Sequence, residues 1–217
     1  METPISEVYN CDCIEFMRTV PDSFFHLAVV DPPYGLAKES TSGAGRLKGR
    51  ALNHGHISSW DVAPTQEYFD ELFRVSKHQI IWGGNYFWLP PTRCVICWDK
   101  VQPWENFSQI EIAWTSFDYL AKLFRYDNRT GGKIHPTQKP VELYAWTYKT
   151  FAQPHFRILD THLGSSSSRI AAYKLGLNFW GCEIDPEYFK AAEERFKKEC
   201  LGIETINGKT YTQQTLF

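Results

Sequence analysis

Asp31, Pro32, Pro33 and Tyr34 follow directly on the apolar run Phe24, Phe25, His26, Leu27, Ala28, Val29 and Val30. Such a run reads as a buried strand that delivers a tetrapeptide to its carboxyl end. Two prolines in succession fix two φ angles and cannot extend a sheet, so they predict a rigid loop that turns the Asp31 carboxylate and the Pro32 carbonyl outward. The product is a pair of hydrogen-bond acceptors beside the ring of Tyr34. That trio suits an aromatic amine, whose nitrogen lone pair is delocalised into its ring and is a poor nucleophile. Two acceptors on the amine hydrogens draw the nitrogen toward a reactive geometry, while the tyrosine stacks on the flat base. A strand ending in a proline turn with an incidental acid is the plainer alternative.

A second constellation lies late in the chain. Residues 156–160, FRILD, read as another buried strand, and THLGSSSSRIAAYKLG after them reads as a glycine-bearing turn opening a helix that ends at Gly176. Gly164, Ser165 and Ser166 are small enough for the backbone to approach a ligand, and the amino end of the helix offers unpaired N–H groups. The next strand, NFWGCEID, ends in Glu183, 19 positions after Gly164. An acid about 20 residues beyond a glycine turn is placed to bind ribose hydroxyls. A nucleotide-like cofactor belongs here.

The elements that must position these residues alternate in type. Ile14 to Val20 form a short helical pattern with Asp12 as its cap, Gln66 to Ser76 a second, Val141 to Ala152 a third and Pro186 to Cys200 a terminal amphipathic helix. HQIIWGG, RCVICWDK and SQIEIAWTSF read as strands, the last two close enough to pair as a hairpin. Strands alternating with helices predict an α/β, doubly wound, mostly parallel sheet with its active residues at the carboxyl ends of the strands. Of Trp82, Trp88, Trp98, Trp104 and Trp114, most are expected in the core or its rim, with one or two available to stack on displaced bases.

The chain has 217 residues, 43% hydrophobic and 16% aromatic, which is material for one core and too little length for two full domains. One domain over residues 1–200 is expected, with inserted loops at 36–60 and 100–133 and a flexible polar tail at 201–217. No long apolar run occurs and the first residues lack a secretion signal, so a cytoplasmic location is the default. The six cysteines are scattered, and Cys94 and Cys97 sit three apart on a strand, where they face opposite sides, so buried thiols rather than a metal site are expected. Net charge is −2, yet residues 36–60 hold Lys38, Arg46, Lys48 and Arg50 against Glu39, and residues 122–139 hold Lys122, Arg125, Arg129, Lys133 and Lys139 against Asp127. Charge segregated in this way suits a face presented to phosphates.

The tetrapeptide at 31–34 resembles the DPPY motif of amino-methyltransferases, and the loop GGKIHPTQKP at 131–140 resembles the HPTQKP element that the same enzymes place just before their cofactor turn. With DPPY early and the cofactor turn late, the order of parts resembles the β class of DNA amino-methyltransferases. The resemblance implies a Rossmann-like, circularly permuted methyltransferase fold with a seven-stranded sheet, and transfer of a methyl group from S-adenosylmethionine to the N6 amine of adenine in DNA. Asp31, Pro32, Pro33 and Tyr34 would be catalytic. Asp12, Cys13, Asp31, His135, Thr137, Gln138, Lys139, Asp160, His162, Leu163, Gly164, Ser165, Glu183, Ile184 and Asp185 would line the cofactor. The family pattern around the turn is aspartate, proline, phenylalanine, any residue, glycine, serine, glycine; Thr161, His162 and Ser166 depart from it.

N4-methylation of cytosine is the nearest alternative, and a catalytically silent DNA-binding or cofactor-sensing relative is the other. Lys38, Arg46, Lys48, Arg50, Arg129 and Lys133 are the expected contacts to the DNA backbone. The resembled class commonly dimerises. The final residues Gln213, Gln214, Thr215, Leu216 and Phe217 resemble the short peptide by which bacterial replication proteins dock on the sliding clamp.

Overall fold

The computed structural model describes residues 3–36, 61–103, 108–127, 134, 138–206 and 209–212. The elements in chain order are β1 (Ser6–Asn10), α1 (Cys13–Arg18), β2 (Phe25–Val30), α2 (Gln66–Val75), β3 (Ser76–Trp82), β4 (Val95–Asp99), β5 (Ile110–Thr115), β6 (Lys122–Arg125), α3 (Val141–Phe151), β7 (Arg157–Asp160), α4 (Ser167–Lys174), β8 (Asn178–Glu183), α5 (Pro186–Leu201), β9 (Ile203–Ile206) and β10 (Lys209–Thr212). Eight strands form one sheet in the order β1-β8-β7-β2-β3-β5-β4-β6. The first five in that order are parallel to one another, while β5 runs antiparallel to both β3 and β4.

Alternation along the central strands explains the layers. Leu27 and Val29 of β2, with Ile80 and Trp82 of β3 and Ile158 of β7, face a cluster that includes Leu143, Tyr148, Ala171 and Ala192 from α3, α4 and α5. Ala28, Val30, Ile81 and Leu159, one residue out of phase, face Met17, Tyr68, Phe69 and Leu72 from α1 and α2. A parallel strand needs a crossover to its neighbour, and crossovers on both faces bury both sides of the sheet. Among the described residues no helix is long and apolar enough to cross a membrane.

The sheet has eight strands where seven were expected. The two outermost, β1 and β6, have short, mixed sequences, SEVYN and KLFR, that carry little apolar periodicity because each is exposed at an edge. The segment expected to fray after α5 instead forms an antiparallel pair, Ile203–Ile206 with Lys209–Thr212. The dipeptide between those strands, Asn207-Gly208, is a strong sequence signal for a hairpin within an otherwise polar segment.

The β7–α4 turn carries a departure from local preference that bears on the site. Ser166 caps α4 with φ 66° and ψ 14°, in the left-handed region, and its buried hydroxyl has no hydrogen-bond partner among the described residues. The resembled family has glycine at this place, where the absence of a Cβ removes the steric cost. Replacing Ser166→Gly should therefore raise folding stability by ~1 kcal/mol, after allowance for the added freedom of the unfolded chain. Urea unfolding of the two proteins measures the difference.

Candidate active site

Parallel pairing brings the two constellations to one rim of the sheet. Ala28 of β2 lies opposite Leu159 of β7, Val30 opposite Ile81 of β3, and Asp160 opposite Gly181 of β8. Asp31, Asp160, Glu183 and Gly83 thus leave neighbouring strands at the same, carboxyl, end.

At the early corner the Asp31 carboxylate is not free. Its Oδ1 accepts a hydrogen bond from the Tyr34 hydroxyl at 2.8 Å, and its Oδ2 accepts from Lys139 Nζ at 2.6 Å. Instead of pointing outward on its own, the acceptor is held in one orientation by two donors of its own chain. Pro32 is buried and Pro33 half-buried beside it. The Tyr34 ring lies against the Tyr86 ring, with centroids 4.9 Å apart and planes inclined by 22°. Burial, then the charge of Asp31, pushes the Tyr34 phenol far above its ordinary range, so the hydroxyl remains a donor.

Lys139 is only 5% exposed. Burial works against its ammonium, but the Asp31 and Glu111 carboxylates outweigh that and hold it well above the usual lysine range. Expected along the cofactor, it is turned onto Asp31. Gln138 next to it accepts a hydrogen bond from the Ile134 backbone at 3.0 Å. His135 and Thr137 lie outside the described residues, as do Lys38, Arg46, Lys48, Arg50, Arg129, Lys133 and the segment 213–217.

At the late corner Asp160 is buried, accepting hydrogen bonds from the Ser168 hydroxyl and, at 3.0 Å, from the His162 backbone. Burial raises its carboxyl to about 7, against the opposing effect of those bonds. His162 places Nδ1 2.9 Å from Thr161 Oγ1, which is 2.6 Å from the Tyr68 hydroxyl. Burial depresses the imidazole to about 4. Leu163 is buried, and its N–H bonds the Cys182 carbonyl at 2.9 Å. The Gly164 N–H donates to Glu183 at 2.8 Å, and Ser165 and Ser167 share a hydroxyl contact at 3.1 Å. Glu183 also accepts from the Asp185 backbone at 3.0 Å, and burial raises its carboxyl.

The remaining sequence candidates have structural duties that are visible here. Asp12 caps α1, accepting from Ile14 N at 2.8 Å and Glu15 N at 3.0 Å. Cys13 opens that helix, and burial, followed by Asp12, pushes its thiol up to about 12. Asp185 caps α5, while Ile184 is exposed. Trp82, Trp98 and Trp114 are core, whereas Trp88 is 96% exposed. Three participants escaped the sequence reading: Tyr86, Glu111 and Lys100. The signal for Glu111 was present, a lone acid between Ile110 and Ile112 in a strand.

A turn that combines Gly164 in the left-handed region at φ 51°, a buried Ser166 hydroxyl without a partner among the described residues, the amino end of α4 and the acid Glu183 fits a nucleoside-bearing ligand. The chain's own groups there supply hydroxyl acceptors and negative charge. Among the described residues no cluster of three or more His, Cys, Asp or Glu could hold a metal ion.

Two consequences are measurable. Gly83 has φ 69°, and a Cβ added to it would lie 2.2 Å from the Tyr34 ring. Gly83→Ala should lower stability by about 2 kcal/mol or more and expel Tyr34 from its place on Asp31, as read by urea unfolding and by the Tyr34 ring signals in NMR. The second concerns pH. The folded Asp160 carboxyl sits at about 7 against 3.8 in the unfolded chain, so the folded state holds the extra proton and stability is lost as pH rises across that interval. His162 works oppositely, gaining stability as pH rises from about 4 to 6.5. Asp160→Asn isolates the first effect: the melting temperature of the native protein minus that of the variant should fall between pH 5 and pH 8 and then level.

Comparison with known proteins places this geometry. The sequence profile of the DNA methylase family, N6/N4 methyltransferases, matches residues 60–194, more than half of the chain. The type II methyltransferase M2.MboI of Moraxella bovis is 22% identical over 238 residues, covering 87% of this chain and 86% of that protein. The PvuII DNA methyltransferase, cytosine-N4-specific, superposes with a TM-score of 0.63 at 16% identity, covering 89% of this chain and 87% of that one. The M1.HpyAVI complex with S-adenosylmethionine superposes with a TM-score of 0.56 at 18% identity, covering 87% of this chain and 98% of that one. With a carboxylate and a tyrosine on one strand end and a glycine turn on the next, the chain belongs to the N6/N4 family of DNA methyltransferases, which use S-adenosylmethionine.

Proposed function

We propose that the protein transfers the methyl group of S-adenosylmethionine to the N6 amine of adenine in DNA. The observation that carries this reading is the placement of Asp31 and of the Asp160–Ser166 turn at the same ends of the paired parallel strands β2 and β7. Acceptor and cofactor turn are neighbours on one rim, so an amine and a methyl donor can be held against each other. Aspartate at position 31 agrees with the adenine-directed form of the resembled motif.

In this reading the Gly164–Ser166 turn and the amino end of α4 hold the cofactor, with Glu183 on its ribose hydroxyls and residues 135–138 beside its methionine portion. Bound S-adenosylmethionine supplies a sulfonium-activated methyl group. Asp31 and the Pro32 carbonyl accept the two amine hydrogens, and Tyr34 lies against the face of the base. The nitrogen lone pair is thereby aimed along the axis of displacement, and the gain comes from position and orientation rather than from a covalent intermediate. The proton lost by the methylated amine passes through Asp31 to solvent. Because a paired base hides its amine, the target must leave the helix first. Lys38, Arg46, Lys48, Arg50, Arg129 and Lys133 are the proposed phosphate contacts.

Mass analysis of nucleosides from DNA incubated with the protein and labelled cofactor tests the proposal. N6-methyladenine is expected, N4-methylcytosine would replace the substrate assignment, and no methylated base would overturn the activity. Asp31→Ala should lower turnover by about 100-fold or more while the cofactor dissociation constant stays within about threefold.

A further inference from the structure

The Asp31–Lys139 contact does not end at Lys139. The same ammonium lies 3.1 Å from Glu111 Oε2, and Glu111 Oε1 lies 2.5 Å from Lys100 Nζ. Four charges of alternating sign therefore run from the catalytic corner, through the buried Lys139, to the half-buried Lys100. Glu111 comes from β5, which is brought to this corner because β5 pairs with β3 and the Gly83 N–H bonds the Ile112 carbonyl at 2.9 Å.

A buried ammonium with a single carboxylate would form a closed, neutral pair. Asp31 would then spend its charge on Lys139 and be a weak acceptor for an amine. A second carboxylate changes this. Glu111 shares the ammonium, and it is held ionised there: burial opposes its charge, but Lys139 and Lys100 prevail and keep its carboxyl at about 2. Asp31, Lys139 and Glu111 together carry one negative charge, and Lys100, bound to the other oxygen of Glu111, brings the row of four to neutrality with Asp31 as its outer, negative end. The chain of charges is no proton wire, because Lys139 keeps its proton far above neutral pH.

We infer that Glu111 is a positioning residue for methyl transfer, acting through Lys139: it draws the ammonium to a fixed point between two carboxylates, so that Asp31 is both oriented and left with charge for the target amine. This role rests on the methyltransferase reading above, in which Asp31 meets the target amine and Glu111 meets Lys139.

Steady-state methylation by the full chain tests it with Glu111→Gln, Glu111→Asp, Lys139→Met and the double variant Glu111→Gln with Lys139→Met. Glu111→Gln should lower kcat about tenfold, with the KM for S-adenosylmethionine and for duplex DNA each within about twofold. Glu111→Asp should recover a part of the loss. In the Lys139→Met background, Glu111→Gln should cost less than about twofold, because the residue through which it acts is gone. Unchanged kcat in Glu111→Gln, or additive losses in the double variant, overturns the inference. A loss of kcat and affinity together with a lowered melting temperature, not relieved in Glu111→Asp, would mark a merely structural residue and overturn it equally. If the native protein methylates no DNA, the underlying reading fails instead, so the two failures are told apart.

Discussion

Parallel pairing of β2 with β7 on one side and β3 on the other is the constraint on which the rest of the molecule depends. Parallel neighbours present all their carboxyl ends at one rim, so whatever residue follows each strand meets the residues that follow the others. The register, Ala28 beside Leu159 and Val30 beside Ile81, sets Asp31 between the Asp160 turn and the Gly83 turn. Helices on both faces follow from the same constraint, because each return to the amino edge must cross the sheet and bury one of its faces.

The rim gathers three acids that a folded protein ordinarily keeps apart, and each is handled differently. Asp31 is paired with a buried ammonium and a tyrosine hydroxyl. Asp160 has hydroxyl and backbone donors but no ion pair among the described residues, so burial dominates and it takes up a proton near neutrality. Glu183 is held by two backbone N–H groups and keeps its place beside the Gly164 turn. A rim of this kind suits a ligand with a positive sulfonium and ribose hydroxyls. On the same rim Lys139 turns inward onto Asp31, with Glu111 and Lys100 arrayed behind it.

Much of the fold was legible before any coordinates. The central strands, the helices at 66–75, 141–151 and 186–201, the β4–β5 hairpin and the glycine-bearing turn are local patterns of apolar period and capping residue, and such patterns depend on near neighbours in the chain. The outer strands β1 and β6 were not legible, because an edge strand buries little and so needs no distinct apolar period. The pair β9–β10 was masked by its polar composition.

By itself the sequence determined which chemical groups were available and roughly where each element begins and ends: an acid, two prolines and a tyrosine after one strand, a small-residue turn after another, an acid after a third. Only the tertiary structure decided what those groups do to one another. That Lys139 meets Asp31 across 108 positions, that Glu111 stands behind it, and that Gly83 makes room for the Tyr34 ring are contacts between distant segments. The physical reason is that hydrogen bonds and charge pairs act over a few ångströms of space, whereas sequence patterns report only on the few residues that a strand or helix turn brings side by side.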